Sequence, residues 1–355
     1  MEPNTGQTGR ESEAGSPAPR ISVCVPTYNG AAHLRECLAG IRSQTLKDFE
    51  VIIVDDDSRD ASADIASEFA REDPRFRVQR NPQRLGLVGN WGRCVALARG
   101  EWIKFAFQDD ILAPACLEKL IEACARTRKP FGFCARNFIF DDGVGQSQRD
   151  WFENHARRLR KDYQDTAVIS PGLAARIAAA EPAHNPVGEP TVTLIHKSLF
   201  QELGGFDDAL IQLCDLEFWL RVLLNHGGAY VPGELAAFRI HAGAATAVNR
   251  SERAFRMGLD TLILEYRFAF GRHFEIMRRA AESGKSALAL RVECARSAAR
   301  AWRQARQDPV LHAEWQAVRA RCPGLRALAL AGAALEFPGR IKRACLQNSP
   351  ANGGK

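Results

Sequence analysis

Residues Trp102–Asp110 read WIKFAFQDD, a short apolar run that ends in two adjacent carboxylates. The length and aromatic content of this run predict a buried β-strand. Two neighbouring acids repel each other unless a cation lies between them, and hard divalent cations bind carboxylate oxygens well. The stretch therefore predicts a cation site at the end of a strand, with helix capping by Asp109 and Asp110 as the simpler alternative.

The residues on both sides of this run continue a regular alternation of strands and helices. The sequence predicts further strands at 21–25, 49–54 and 76–78, separated by helices near 34–41, 62–69 and 90–98. Such an alternation is typical of a parallel α/β sheet, which binds ligands at the carboxyl ends of its strands. Three strand ends carry polar side chains that suit a nucleotide: Thr27 and Tyr28, Asp55 and Asp56, and Asp109 and Asp110.

Two common nucleotide-binding motifs are absent from the sequence. No Gly-x-Gly-x-x-Gly follows a predicted strand, which disfavours a dinucleotide cofactor. No Gly-x-x-x-x-Gly-Lys-Ser/Thr occurs anywhere, which excludes a P-loop. A nucleotide at these strand ends must therefore be held by a different set of residues.

Composition indicates an ordinary globular protein. The 355-residue chain is 46% hydrophobic and 25% charged, and it is long enough for one or two domains. Its ten cysteines form no Cys-x-x-Cys pair and several fall in apolar runs, which predicts reduced thiols and a cytoplasmic location. The longest candidate for a membrane span, Ala327–Leu335, has about half the required length. Residues 1–20 lack a signal-peptide pattern, and their polar composition predicts a disordered leader.

Positive charge is concentrated near the C-terminus. Residues 251–355 contain 19 Lys and Arg against 9 Asp and Glu, whereas the whole chain has a net charge of +6. The pattern here changes to Ala- and Arg-rich helices, so we predict a basic helical appendage at 251–347 after a main domain at 21–250, and a frayed tail at 348–355. The basic region predicts peripheral contact with lipid head groups at the inner face of a membrane, or with a polyanionic acceptor. Solvated helix faces are the alternative explanation.

Five short motifs occur in an order that resembles the inverting family 2 glycosyltransferases of the GT-A fold. They are Pro26–Gly30 (PTYNG), Val54–Asp60 (VDDDSRD), Gln108–Asp110 (QDD), Gly204–Asp207 (GGFD) and Asp215–Arg221 (DLEFWLR). The resemblance implies a metal-dependent enzyme that uses Mg²⁺ or Mn²⁺ and a nucleoside-diphosphate sugar, with UDP favoured and dTDP or GDP left open. Together with the basic C-terminal region, it implies a glycan or lipid-linked acceptor in polysaccharide or cell-envelope biosynthesis, and no nucleic-acid partner.

The resemblance also implies roles for individual residues. Asp215 matches the base that takes the proton of the acceptor hydroxyl during a single in-line displacement, which inverts the anomeric centre. Asp110 matches the metal ligand. His241 follows the last predicted strand, where it is expected to contact the metal or the diphosphate, or to be a structural histidine. The nucleotide is expected to contact residues at three strand ends, with Asp56 at the base and Asp109 near the ribose: Pro26, Thr27, Tyr28, Asn29, Asp56 and Asp109.

Three departures from the family pattern bear on function. Cys214 stands where the residue before the base is often Glu, and Asp57 stands where the family usually has Gly or Asn. The Gln/Arg-x-x-Arg-Trp motif of processive synthases is missing, which argues for addition of a single sugar. Two other classes stay open: a sugar-nucleotide-binding module without catalysis, and a related nucleotidyltransferase, which would normally carry a Gly-rich basic loop after its first strand.

Further expectations concern residues outside these motifs. Residues 141–165 are charged and contain glycine, which predicts a mobile loop over the site. Arg84 is expected either to meet phosphate or to be solvated. Asn185 and Glu189 precede a predicted strand and are expected either to form a hydrogen-bonded turn or to contact the acceptor.

Overall fold

The centre of the molecule is a nine-stranded mixed sheet. The computed structural model describes residues 18–163, 166–182, 184–244, 249, 253–280 and 287–335. The strands run in the order β3-β2-β1-β4-β8-β6-β9-β5, and β7 pairs with β9. Their bounds are β1 Ile21–Thr27, β2 Phe49–Asp55, β3 Phe76–Arg80, β4 Trp102–Phe105, β5 Ile111–Leu112, β6 Phe131–Phe140, β7 Val168–Ile169, β8 Thr193–His196 and β9 Gly228–Ile240.

The first half of the sheet is parallel, as the strand–helix alternation predicts. β1 pairs in parallel with both β2 and β4, and β2 pairs in parallel with β3. Every residue of β1 and β2 is buried, which is the condition of a central strand covered by helices on both faces. The carboxyl ends of β1, β2 and β4 therefore meet at one edge of the sheet.

Lys104 is a charged residue inside the otherwise apolar strand β4. It is fully buried, and its ammonium donates hydrogen bonds to the carbonyl oxygens of Phe105, at 2.9 Å, and Thr191. A buried cation is tolerated only when its donors are satisfied in this way. The contact with Thr191 joins β4 to the 3₁₀ turn Pro190–Val192, which precedes β8.

The second half of the sheet is mixed. β8 is antiparallel to both β4 and β6, and β9 is parallel to β6. The sequence predicts two separate strands, at 230–231 and 236–240, whereas the structure has the single strand β9 with an irregular register opposite Cys134–Arg136. This irregularity lets one strand pass Pro232 and Gly233 and continue to the edge that carries the polar strand ends.

Helices cover both faces of the sheet and form the C-terminal region. The helices before residue 230 are α1 Ala31–Arg42, α2 Ser62–Glu72, α3 Gly86–Leu97, α4 Cys116–Thr127, α5 Gln146–Tyr163, α6 Pro171–Ala180, α7 Ser198–Leu203 and α8 Cys214–His226. Those after it are α9 Ala254–Phe270, α10 Glu275–Arg279, α11 Ala287–Ala305 and α12 Pro309–Arg321, and residues 325–335 are also helical.

The prediction of a mobile loop at 141–165 is wrong for most of that segment. Residues Gln146–Tyr163 form the helix α5, whose buried residues Ala156, Leu159 and Tyr163 lie three and four positions apart on one face. Phe152 on this helix packs against Phe138 of β6, with ring centroids 5.5 Å apart. The helix is therefore held by contacts with the sheet rather than by its own polar sequence.

The predicted helical C-terminal region is confirmed, and its first helix packs on the main body. Leu259, Leu262 and Ile263 of α9 belong to the same buried core as the sheet. The proposed leader and tail fall mostly on residues 1–17 and 348–355, which lie outside the described residues. The boundary near residue 250 likewise falls among undescribed positions and stays a prediction.

Two further sequence predictions concern thiols and membranes. The nine cysteines of the described residues are free and buried, as predicted. Over the same part of the chain, no helix combines the length and the apolar character that crossing a bilayer requires.

Candidate functional site

The turn after β1 is locked to the loop after β2. Asn29 adopts a left-handed conformation with φ 47°. Its backbone N–H donates to Ser58 Oγ at 2.9 Å, and its side-chain Oδ1 accepts from the N–H of Arg59 at 2.9 Å. Asparagine tolerates this conformation better than most residues, so the sequence PTYNG suits the turn. Two of the three polar strand ends are thereby held in fixed relative positions.

The same turn is also tied to the end of β4. The N–H of Tyr28 donates to Gln108 Oε1 at 2.8 Å, and Gln108 Nε2 donates back to the carbonyl oxygen of Tyr28 at 3.2 Å. A Cβ at Gly30 would lie 2.3 Å from Gln108 Oε1, so a larger residue there would displace the Gln108 side chain from these hydrogen bonds. Of the four turn residues predicted to bind nucleotide, Pro26 and Thr27 are buried in β1, whereas Tyr28 and Asn29 reach the surface.

Arg84 and Tyr28 form a flat platform beside this edge. The guanidinium carbon of Arg84 lies 3.9 Å from the centre of the Tyr28 ring. A planar cation over an aromatic ring presents a surface on which a nucleobase can stack. The sequence marks Arg84 only as a basic residue in the loop before α3, so its pairing with Tyr28 becomes visible only in the structure.

Asp56 fixes the loop that carries Arg84. Its carboxylate is buried and accepts hydrogen bonds from the backbone N–H groups of Leu85, at 2.7 Å, and Gly86, at 2.9 Å. It also accepts from Asn81 Nδ2 at 2.9 Å. A carboxylate offers about four lone-pair directions, so one remains for a ligand donor. The predicted contact of Asp56 with the base stays a prediction.

Asp109 and His241 meet at the ends of β4 and β9. His241 Nε2 lies 3.0 Å from Asp109 Oδ2. The hydrogen bond that His241 donates to Asp109 raises the pKa of His241, against the opposing effect of burial. The direct partner of His241 is therefore the first acid of the pair, and its contact with a metal or a diphosphate stays a prediction.

Asp110 lies behind Asp109 and is buried. Its Oδ1 accepts a hydrogen bond from the backbone N–H of Arg239 at 3.0 Å, and its Oδ2 is without a hydrogen-bond partner among the described residues. Burial, followed by the charge of Asp109, raises the pKa of Asp110 well above its usual range. A cation beside this carboxyl would favour its ionised form, so the unpartnered oxygen fits the chemistry of a metal ligand.

His33 and Asp141 join His241 in a cluster that sequence patterns do not reveal. One ligand atom from each of the three lies within 4.8 Å of the others, a spacing that could hold a metal ion. Arg239 borders the cluster, donating to Asp141 Oδ1 at 3.0 Å and to the carbonyl oxygen of Asp109 at 3.0 Å. Imidazole and carboxylate donors together suit a transition metal such as Mn²⁺ better than they suit Mg²⁺.

Asp215 occupies the first turn of α8 and remains partly exposed. Its Oδ1 accepts from the N–H of Leu216 at 2.6 Å. Burial of the carboxyl raises its pKa to about 7; the Leu216 hydrogen bond lowers it, and the charge of Glu189 adds to the rise. A carboxyl with this pKa takes up and releases a proton near neutral pH, as a general base must.

The segment before β8 is held by side-chain contacts, and the charge of its Glu189 acts on Asp215. Arg136 of β6 is buried and forms an ion pair with Glu189 at 2.5 Å. Asn185 Oδ1 accepts from the N–H groups of Val187, at 3.0 Å, and Gly188, at 2.9 Å, so Asn185 forms the hydrogen-bonded turn that was one of its two expected roles. Gly188 has φ 113°, which strongly favours glycine.

Comparison with known proteins shows the family to which this chain belongs. The glycosyl transferase family 2 model matches residues 22–203, just over half of the chain. The chain belongs to this family. The protein is therefore a glycosyltransferase, and its mixed sheet is the GT-A fold that the sequence motifs predict.

Individual relatives agree with this assignment. An uncharacterized protein of Mycobacterium tuberculosis is 36% identical over 242 residues, which are 68% of this chain and 73% of the relative. The glycosyltransferase GlyG of Streptococcus pneumoniae is 36% identical over 102 residues, but these are only 29% of this chain and 34% of GlyG. The first match thus covers about two thirds of this chain, and the second covers less than a third of it.

Two solved structures share the fold. Residues 1–349 of S. aureus TarS in complex with UDP-GlcNAc superpose with TM-score 0.55 at 14% identity, covering 88% of this chain and 89% of TarS 1–349. The mannosyltransferase PcManGT of Pyrobaculum calidifontis, in complex with GDP-Man and Mn²⁺, gives TM-score 0.54 at 18% identity, covering 92% and 83%. At this identity the likeness shows the fold alone.

Proposed function

We propose that this glycosyltransferase transfers a single sugar, with inversion, from a nucleoside-diphosphate sugar to a glycan or lipid-linked acceptor, and that it requires a divalent metal. The observation that carries the proposal is the carboxyl of Asp215, which has a pKa of about 7 at the start of α8 and stays partly open to solvent. The other reactant, the nucleotide sugar, would bind at the donor site that we propose at the neighbouring strand ends.

Asp215 would act as the general base. It would take the proton of the acceptor hydroxyl while that oxygen bonds to the anomeric carbon and the bond to the diphosphate breaks. A single displacement of this kind inverts the anomeric configuration. The charge of Glu189 raises the pKa of Asp215, and the charge of Arg136 lowers it. This ion pair would therefore influence the proton affinity of the proposed base through its charges.

The nucleotide would bind across the ends of β1, β2 and β4. We propose that the base stacks on the platform of Tyr28 and Arg84, with Asp56 at its polar edge and Asp109 near the ribose. This arrangement is supported by the short contact between Arg84 and Tyr28 and by the hydrogen bonds that fix both loops. UDP remains the favoured nucleotide because of the family resemblance, and the UDP and GDP complexes of TarS and PcManGT keep both bases open.

The metal would be held where the acids meet the histidines. Asp110 and His241 are the ligands implied by the family resemblance, and Asp109, His33 and Asp141 are further donors at the same place. The donor set fits a divalent cation because the Oδ2 atom of Asp110 is buried and, within the described part of the chain, accepts no hydrogen bond. When bound, such an ion stabilises the negative charge that develops on the departing diphosphate.

The positive charge of the C-terminal region supports our proposals for the acceptor and for the location of the enzyme. The exposed arginines of α11 and α12 give the C-terminal region a basic surface that suits an anionic membrane face in the cytoplasm. Co-sedimentation of the full-length protein with vesicles of anionic and of neutral lipids tests this proposal. We expect binding to anionic vesicles that weakens with salt, and equal binding to neutral vesicles would contradict it.

The stereochemical course tests the proposed mechanism without an acceptor. Glycosyltransferases commonly hydrolyse their donor slowly, so the sugar released from a nucleotide sugar in the presence of Mn²⁺ can be followed by proton NMR before it mutarotates. We expect the first anomer to have the configuration opposite to that of the donor, and release to stop in Asp215→Asn. A first anomer with the donor's own configuration would contradict a single inverting displacement.

A further inference from the structure

Asp260 is a fully buried carboxylate on α9, outside the residues that match the family model. Its Oδ2 accepts hydrogen bonds from three consecutive backbone N–H groups, those of Ile211 at 2.9 Å, Gln212 at 2.6 Å and Leu213 at 3.0 Å. Its Oδ1 accepts from Arg256 Nη1 at 2.6 Å. Both oxygens are therefore engaged, one by the backbone that leads into α8 and one by a guanidinium.

These three N–H groups lie directly before helix α8. Helix α8 begins at Cys214, and Leu213 at its N-cap position makes no side-chain capping hydrogen bond. The side chain of leucine cannot accept a hydrogen bond, so the usual Ser, Thr, Asp or Asn cap is missing at this helix start. Asp260 instead binds the backbone just before the helix, with an oxygen that lies 47 residues beyond Leu213 in the chain. Consecutive N–H groups that converge on one anion form a concave site that fixes the backbone conformation.

Further contacts join the same segment to the C-terminal helices. We call residues 207–213 the base loop, because Asp215, the proposed general base, lies two residues beyond it. Arg256 donates to the carbonyl oxygen of Ala209, and Arg267 Nη2 donates to Asp207 Oδ2 at 2.7 Å. The base loop is therefore clamped from one side by α9, in side-chain contacts that are largely buried.

We infer that Asp260 is a positioning residue for the catalytic carboxyl, and this inference rests on the proposed function. By fixing the N–H groups of Ile211, Gln212 and Leu213, Asp260 sets the direction of the first turn of α8. Asp215 lies in that turn, two residues after the clamped backbone. The C-terminal helical region thus contributes to the active site by holding the backbone that positions Asp215.

The size of the effect follows from the geometry. Misplacing a reacting group by about 1 Å can cost about 100-fold in rate. Asp260→Asn keeps the shape of the side chain but loses the negative charge. The asparagine has a single accepting oxygen, so its donating NH2 group must face either the three N–H donors or the guanidinium of Arg256. We expect kcat for donor hydrolysis to fall about 10- to 100-fold. The KM for the donor should stay within about twofold, since the proposed nucleotide site is built from other strand ends.

The matched control is Asp308→Ala. Asp308 is also a carboxylate in the C-terminal region that accepts from two backbone N–H groups at a helix start, Val310 at 2.7 Å and Leu311 at 3.2 Å, but it does not contact the base loop. This control should lower the melting temperature with little change in kcat at a temperature where both proteins are folded. If Asp260→Asn retains the wild-type kcat, or if Asp308→Ala loses as much, the positioning role is wrong.

Hydrogen exchange tests the clamp independently of activity. In the wild-type protein, the amides of Ile211, Gln212 and Leu213 should exchange as slowly as those inside α8, although they precede the helix. Asp260→Asn should speed their exchange, and Asp308→Ala should leave it unchanged. Fast exchange of these amides in the wild-type protein would overturn the inference even if the variant fails to fold. Slow exchange in a protein without donor turnover would instead point to failure of the proposed function.

Discussion

Replacing Asp215 with Asn should separate the chemical role of this carboxyl from its effect on stability. Loss of a general base typically reduces the rate about 10²- to 10⁴-fold, and we expect this loss in kcat for donor hydrolysis. The dissociation constant of the nucleotide should stay close to the wild-type value, since no residue proposed to bind the nucleotide is changed. Activity should not recover at higher pH, because the amide cannot ionise.

The same substitution should make the protein more stable at alkaline pH. Burial raises the pKa of Asp215 from 3.8 to about 7, so the folded chain holds a proton that the unfolded chain releases. The wild-type protein therefore loses stability as the pH rises from about 4 to about 8, with an upper bound of about 4 kcal/mol. Because Asp215 keeps partial contact with solvent, we expect Asp215→Asn to gain about 1–2 kcal/mol at pH 8 and almost nothing at pH 4.

Urea denaturation at both pH values measures this difference. Asp142→Asn provides the control, because Asp142 is an exposed carboxyl whose neutralisation should leave the difference between the two pH values unchanged. The reasoning is refuted if Asp215→Asn is no more stable than the wild type at pH 8, or if its gain is the same at pH 4. It is also refuted if the variant still hydrolyses the donor at the wild-type rate.

Three further predictions concern the metal, the turn and the platform. Asp109→Asn should weaken Mn²⁺ binding, measured by calorimetry, at least about tenfold. Comparison with Asp110→Asn shows which acid is the stronger ligand. Unchanged Mn²⁺ affinity in both variants would exclude the acid pair as the metal site. Gly188→Ala should destabilise the fold by about 2 kcal/mol or more in thermal unfolding. The alanine Cβ would lie 2.4 Å from the guanidinium of Arg136, and the backbone φ of residue 188 is 113°. An unchanged stability would show that the turn can relax. Arg84→Ala should weaken UDP binding about fivefold or more by loss of stacking, and unchanged affinity would remove the platform from the site.

The parallel half of the fold could be predicted because its signals are local. β1, β2 and β4 are short, mostly apolar runs followed by polar residues, and the helices after β1 and β2 show their own apolar spacing. The site motifs lie at those same ends, so Tyr28, Asp56 and Asp109 could be placed at one edge from sequence alone. The parallel connection rule then brings them together without any long-range information.

The parts that could not be predicted depend on distant contacts. Helix α5 has only three buried residues in a strongly polar sequence, and aromatic contacts with β6 hold it in place. His33 and Asp141 lie outside every motif, and only the ends of α1 and β6 bring them beside His241. The role of Asp260 is likewise not visible in the sequence, because the backbone N–H groups that it binds lie 47 to 49 residues earlier.

The most direct test of the central claim is a panel of UDP, dTDP and GDP sugars, each incubated with Mn²⁺ or with EDTA, with the released nucleoside diphosphate as the signal. The account predicts slow release from one donor class that requires the metal and is lost in Asp215→Asn and in Asp110→Asn. Release that continues in EDTA, or that survives both substitutions, would contradict a metal-dependent transferase working at this site.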